Sequence, residues 1–237
     1  IVPNTPGAPL IVYKLVTDDE GKGTGTFAAH TIYAQNQGHG LGFGDVNGNG
    51  RGDFILNNGW LEAPDDPYAG EWVLHREFDL GGQASVPILV VDINGNGLND
   101  LIVGHGHGYG LDWLEQSIDE ATGARRWIKH PIDPFNAQYH DLQWVDLDGD
   151  GACELVTGKR YRAHCGHDVG SHDDVGIYYF KWTGEGFAKQ VIDYGPPGTG
   201  KGCGIFFGIA DITGSGRLDI VAPGKDGLVL YENQGNE

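Results

Sequence analysis

The stretch that decides the fold is Asp146-Leu-Asp-Gly-Asp-Gly-Ala-Cys-Glu154, because it occurs in four versions along the chain. Asp45-Val-Asn-Gly-Asn-Gly-Arg-Gly-Asp53, Asp92-Ile-Asn-Gly-Asn-Gly-Leu-Asn-Asp100 and Asp211-Ile-Thr-Gly-Ser-Gly-Arg-Leu-Asp219 align with it without gaps. The common form is D-x-[DN]-G-[DN]-G-x-x-[DE], with Thr213 and Ser215 at the third and fifth positions of the last copy. One such match is an ordinary Asx turn. Four are an internal repeat, and a repeat of this period points to blades, arrays or solenoids.

Working outward, each acidic loop is flanked by short apolar runs. Gly42-Phe-Gly, Ile88-Leu-Val-Val, Leu142-Gln-Trp-Val and Phe206-Phe-Gly-Ile-Ala precede the loops; Phe54-Ile-Leu, Leu101-Ile-Val, Leu155-Val-Thr and Ile220-Val-Ala follow them. Runs of this length bounded by Gly and Asp are strands, so each loop is the turn of a hairpin. A third strand recurs at Gly59–Glu62, Leu111–Glu115, Ile177–Trp182 and Leu228–Glu232, and a fourth at Trp72–His75, Trp127–His130 and Phe187–Ile192. Four strands per repeat, at spacings of 47, 54 and 65 residues, predict an all-β protein, a β-propeller of four-stranded blades, over a β-sandwich. No helix or linker divides residues 1–237, so one propeller domain is expected. Leu10–Val16 and Phe27–Ile32 read as a third and a fourth strand ahead of the first loop. Two arrangements follow: Phe27–Ile32 completes the last repeat and closes a four-bladed ring, or the pair belongs to another blade and the chain is part of a larger propeller.

Composition narrows the function classes. The chain has 237 residues, 33 Asp or Glu against 15 Lys or Arg, and a formal net charge of -18. Such a surface repels phosphate backbones and anionic lipid, which argues against nucleic-acid partners. No apolar run approaches the roughly 20 residues of a membrane helix, so no membrane insertion is expected. The 41 Gly fit turns, not long helices. Three Cys allow at most one internal disulfide. Calcium-type loops suit calcium-rich exterior fluid, so a secreted or periplasmic location is expected.

Alternating oxygen side chains let one tight turn aim several ligands at one hard cation, and Gly at the fourth and sixth positions supplies the required positive φ. The expected ligands are Asp45, Asn47, Asn49 and Asp53; Asp92, Asn94, Asn96 and Asp100; Asp146, Asp148, Asp150 and Glu154; and Asp211, Thr213, Ser215 and Asp219. Oxygen donors without His or Cys favour structural Ca²⁺. The third loop, with four carboxylates, is expected to be tightest and the fourth weakest. Metal-free Asx turns are the alternative. These loops and their strands, from about residue 38 onward, resemble the FG-GAP or VCBS repeats of calcium-binding propellers. That resemblance implies the fold; members serve in adhesion, sugar binding and catalysis.

Ten His residues complete the picture. His39 and His140 each lie six residues before the first Asp of a loop, at the same place on the innermost strand of a blade. The far ends of the second strands carry His105 and His107, then Lys159, Arg160, Arg162 and His164. A basic, imidazole-rich face is therefore expected at the end of the hairpins opposite the acidic turns. His30, His75 and His130 read as ordinary fourth-strand residues, and His167 and His172 as a solvated loop. The His-rich segments and the architecture also resemble the propeller of the aldos-2-ulose dehydratases and related carbohydrate lyases.

The leading expectation is a carbohydrate-active lyase or dehydratase, a carbon–oxygen lyase acting by metal- or His-assisted β-elimination. His39 or His140 would be the base, helped by Tyr139 or Tyr161, with Lys159, Arg160 or Arg162 stabilising the enolate. His105, His107 and His164 would hold Zn²⁺ or another transition metal. Trp60, Trp113 and Tyr109 would stack on a sugar ring, or pack the blades. The alternative is a non-catalytic, calcium-dependent module that binds glycan or protein. The partner in the leading case is a carbohydrate or sugar-derived small molecule. Gly104-His-Gly-His-Gly-Tyr lacks the helix and Lys-Ser/Thr of a phosphate loop, and no G-x-S-x-G elbow is present.

Overall fold

The repeat becomes structure through its turns. In the computed structural model, which describes residues 1–235, the first Asp of each loop accepts backbone N–H groups from within its own turn. Asp45 takes Gly48, Asn49 and Gly50; Asp92 takes Gly95, Asn96 and Gly97. The paired glycines of every loop have positive φ, for example 77° at Gly149 and 91° at Gly151. The closing acid is buried in all four copies and accepts the amide of the loop's second residue: Val46, Ile93, Leu147 and Ile212. In three copies it also accepts an amide from within the third strand, Gln116, or from just beyond it, Ala63 and Asn233. One carboxylate thus staples a hairpin to the next strand.

The strands run β1 (Leu10–Thr17), β2 (Gly23–Tyr33), β3 (Leu41–Gly44), β4 (Asp53–Leu56), β5 (Gly59–Glu62), β6 (Val73–His75), β7 (Leu89–Val91), β8 (Asp100–Gly104), β9 (Leu111–Ile118), β10 (Arg125–Pro131), β11 (Tyr139–Val145), β12 (Glu154–Lys159), β13 (Val175–Trp182), β14 (Phe187–Gly195), β15 (Gly208–Ala210), β16 (Asp219–Gly224) and β17 (Gly227–Tyr231). The only helical pieces among the described residues are 3₁₀ turns at Gly81–Gln83 and Ala163–Gly166. β3–β6, β7–β10 and β11–β14 form antiparallel four-stranded sheets in meander order, and β15–β17 form a three-stranded one. These four sheets are the blades of a β-propeller. Every blade strand expected from the sequence is present.

The N-terminal pair settles one expectation. β1 and β2 pair with each other, and among the described residues neither joins β17. Phe27–Ile32 therefore does not complete the last blade. The ribbon packs on the first blade instead, with Leu10 against Leu41, Phe54, Leu56 and Leu61.

Side-chain alternation builds the core between blades, since successive strand residues face opposite sides. Phe54 and Leu56 face the ribbon while Ile55 joins Trp60, Ile88, Leu101 and Val103 between blades 1 and 2. Ile102 turns the other way, into a cluster with Leu111, Tyr139, Leu142, Leu155 and Phe180 between blades 2 and 3. Val156 continues to Ile177, Phe207 and Ile220 between blades 3 and 4. Each second strand is therefore apolar on both faces, as a fully buried strand must be.

Candidate functional site

Three blades send a histidine to one place. His39 lies just before β3, His140 is the second residue of β11, and His107 sits in the turn joining β8 to β9. The His39 and His107 rings meet edge-on with centroids 4.4 Å apart, and His140 lies 5.5 and 5.7 Å from them, again edge-on. One ring nitrogen from each falls within 4.8 Å of the other two. The Gly-rich turn permits this approach: a Cβ on Gly106 would lie 2.8 Å from His140 Cδ2.

Two of the three rings are oriented by hydrogen bonds. His39 Nδ1 lies 2.7 Å from the Ala84 carbonyl, and His107 Nδ1 lies 2.8 Å from Asp168 Oδ2. Asp168 also receives His164 Nδ1 at 2.9 Å, and the His164 ring stacks on His107 with centroids 4.8 Å apart. Burial alone would raise the Asp168 pKa, but the hydrogen bonds from His107 and His164 outweigh it and hold the carboxyl below its usual range. His140 Nδ1 and Arg160 Nη1 are buried without a hydrogen-bond partner. Burial first, then the positive charge of Arg160, pushes the His140 pKa down to about 3; burial also lowers that of His39. Both rings are therefore neutral at physiological pH.

Several expected site residues belong elsewhere. His105 does not join His107: its Nε2 pairs with Asp112, 2.8 Å away, which Lys129 also holds. The His105 amide donates to the Gly110 carbonyl and the Gly108 amide to the His105 carbonyl, which makes the segment a turn, so two residues of spacing no longer mean one face. Tyr139 is fully buried, and its hydroxyl donates to Asp133, away from the imidazoles. Lys159 and Arg160 are neighbours along an extended segment and so point to opposite sides. Arg160 acts on His39 and His140, whereas Lys159 is fully buried without a hydrogen-bond partner, its pKa lowered by burial. Arg162 is exposed in a left-handed turn, and its carbonyl accepts Lys225 Nζ. Asp141 accepts the Phe207 amide and ties blade 3 to blade 4. Trp60 and Trp113 are buried blade packing, stacked on His75 and His130. Tyr109 is exposed and donates to Asp173. Cys153, Cys165 and Cys203 are free thiols. A cavity of about 630 Å³ lies between the ribbon and blade 1 among apolar residues such as Val12, Phe43 and Trp72, and no histidine lines it.

Asp168 was not singled out from the sequence. It lies in an irregular loop with no periodicity, and only the fold carries it to His107. A second omission was legible. The residue facing the closing acid across the second and third strands is Glu62, Glu115, Lys181 and Glu232 in the four blades. Glu62 and Glu115 accept Asn47 and Asn94 of their loops, while Lys181 reaches Asp148, Asp150 and Glu154 at 2.5, 2.9 and 3.6 Å. With the seventh-position Arg51 and Arg217 counted, two loop acids plus a Glu give a net charge of -2 in blades 1 and 4 and -3 in blade 2, and four loop acids less one ammonium give -3 in blade 3.

This bears on calcium. The turns close through their own amides, yet a carboxylate keeps lone pairs for a hard cation, and Asp146, Asp148 and Glu154 each bring one oxygen within 4.8 Å of the others. In the third loop, expected to be tightest, an internal ammonium stands among the carboxylates. The Lys181→Met variant is predicted to raise calcium affinity at that loop by at least about tenfold, through loss of the competing charge. Calcium titration followed by calorimetry reads this directly; equal binding by variant and parent would refute it.

In comparisons with known proteins, no family model and no curated protein matches the chain. No helix among the described residues is long and apolar enough to cross a membrane.

Proposed function

We propose that the protein is a carbohydrate-active lyase or dehydratase that removes a proton beside a carboxylate or carbonyl and expels a β-oxygen substituent. The observation that carries this reading is a buried guanidinium, Arg160, with an unpartnered Nη1 beside a neutral imidazole, His140, with an unpartnered Nδ1. Unsatisfied buried donors are costly, and a site that keeps them is arranged for a ligand that completes them. An anionic sugar supplies the missing acceptor.

The geometry revises the roles expected from the sequence. His140, held near pKa 3, is a weak proton acceptor toward a carbon acid. His164 suits the base better. Its side chain is 59 % exposed, and its Nδ1–H donates to Asp168, which leaves the Nε2 lone pair free at the rim. In the proposed step His164 Nε2 takes the proton, the C–H pair forms the new C=C bond, and the C–O bond to the leaving group breaks. Negative charge developing on the substrate oxygens is met by Arg160, whose charge acts on His39 and His140. The acidic turns would take structural calcium at the other end of the hairpins, and such loops suit a protein working outside the cell.

Elimination from uronates or aldosuloses creates a conjugated double bond, so ultraviolet absorbance against a panel of acidic polysaccharides and keto-sugars tests the reading. His164→Ala is expected to reduce turnover about 10²–10⁴-fold. Glycan binding without any absorbance change would overturn it in favour of a binding module. So would full turnover by the His164→Ala, His39→Ala and His140→Ala variants.

A further inference from the structure

We propose that His39, His107 and His140 together bind one divalent late transition-metal ion of the zinc class, oriented by the Ala84 carbonyl and the Asp168 carboxylate. The inference deepens the proposed function by giving that same site a cofactor, and it rests on that reading only for the metal's use in turnover.

Tautomer chemistry carries the argument. A backbone carbonyl can only accept, so His39 Nδ1, 2.7 Å from Ala84 O, bears the hydrogen. An ionised carboxylate can only accept, so His107 Nδ1, 2.8 Å from Asp168, bears it too. In two neutral imidazoles the remaining nitrogens are then bare lone pairs. These are His39 Nε2 and His107 Nε2, and they face each other at 2.9 Å. Two lone pairs at that distance repel unless a cation lies between or beside them. A proton shared by the two rings would satisfy that pair alone, whereas a metal ion also takes up the nitrogen that His140 brings within 4.8 Å of both, and imidazole nitrogen is a good ligand for Zn²⁺, Cu²⁺, Ni²⁺ and Fe²⁺.

The third ligand is also in place. His140 is 6 % exposed, carries a buried nitrogen without a partner, and has a ring nitrogen within 4.8 Å of both other donors. Ligand bonds of about 2.0–2.1 Å require the pair to open by only a few tenths of an ångström. The Asp168–His107 contact is the usual device that fixes a ligand's tautomer and raises its basicity. A catalytic site leaves a position open beside three protein ligands, and the unpartnered, buried Arg160 Nη1 is a donor for an anionic oxygen bound there. The competing group His107–His164–Asp168 is poorer, because Asp168 holds both Nδ1 hydrogens. His105 is spent on Asp112.

The test loads full-length protein, stripped with dipicolinate, with Co²⁺ and reads its d–d absorption and stoichiometry. One equivalent with the intense visible bands of low coordination is expected. His107→Ala is expected to abolish the signal and Asp168→Asn to weaken Co²⁺ affinity about 10–100-fold, the latter with the three rings intact. His105→Ala is expected to leave binding unchanged. Absence of Co²⁺ binding, or binding indifferent to His107→Ala and Asp168→Asn, or lost in His105→Ala, overturns the assignment. The two readings fail separately. Metal bound at the triad without eliminase activity sinks the proposed function alone; turnover by protein that binds no Co²⁺ sinks the metal alone.

Discussion

Replacing Arg160 by methionine is expected to make the free protein more stable while removing most of its turnover. The guanidinium is 7 % exposed, and its Nη1 has no hydrogen-bond partner among the described residues. Burial lowers its pKa, and only the charge of Asp168 opposes that shift. A buried charge so poorly compensated costs stability, and a methionine of similar reach relieves a cost of about 1–3 kcal/mol. The same charge is the group placed to stabilise negative oxygen in the transition state, where loss of one such donor costs about 10²–10³ in rate. Opposite signs for the two effects are the point. A residue kept for packing alone would lose stability on replacement and leave the chemistry intact. Urea melts and elimination kinetics on Arg160→Met and Arg160→Lys separate these outcomes. A destabilised methionine variant with full turnover would refute the assignment.

The propeller was legible because its information is local and repeated. Asp at the first position of each loop, Gly at the fourth and sixth, and an acid at the ninth each have one structural task, and four copies remove ambiguity. Strand boundaries followed from apolar runs with two buried faces, such as Phe54-Ile-Leu and Leu101-Ile-Val. The site was only half legible. His39 and His140 share a register position in their blades, which placed them on one face from sequence alone. Asp168 and the Ala84 carbonyl are brought in by irregular segments that no periodicity describes. His105 and His107 were paired on strand logic, but glycines at 104, 106, 108 and 110 convert the segment to a turn that sends the two rings apart. Lys181 could have been found by aligning third strands, where it replaces a Glu. Its meaning emerges only when the facing loop is counted with it.

Asp133 is the position where a single substitution should do most damage away from the histidines. It lies between β10 and β11, 5 % exposed. Its Oδ2 accepts Tyr139 Oη and Lys189 Nζ at 2.7 Å and Asn136 Nδ2 at 2.8 Å, and its Oδ1 accepts the Phe135 and Asn136 amides. Its backbone exchanges hydrogen bonds with Leu111 of β9. One carboxylate therefore links blade 2 to the first and last strands of blade 3, and it fixes Tyr139, the residue before His140. Burial alone would raise the Asp133 pKa, but Lys189, Tyr139 and Asn136 outweigh it and hold it at about 2. A carboxyl depressed in the folded state contributes stability above its unfolded value near 3.8. That contribution is lost as pH falls toward 2 and amounts to about 2 kcal/mol by linkage. Asp133→Ala also leaves the Lys189 ammonium and a buried hydroxyl unpaired, for a total loss of about 3–5 kcal/mol at neutral pH. Asp133→Asn keeps the shape but not the charge, so it should lose less at pH 7. Between pH 4 and pH 2 it should lack the parent's Asp133-linked decline. Urea melts of the three proteins at pH 7, 4 and 2.5 decide the matter. Parallel pH profiles for parent and asparagine variant would show that the carboxylate is not the linkage this geometry makes it.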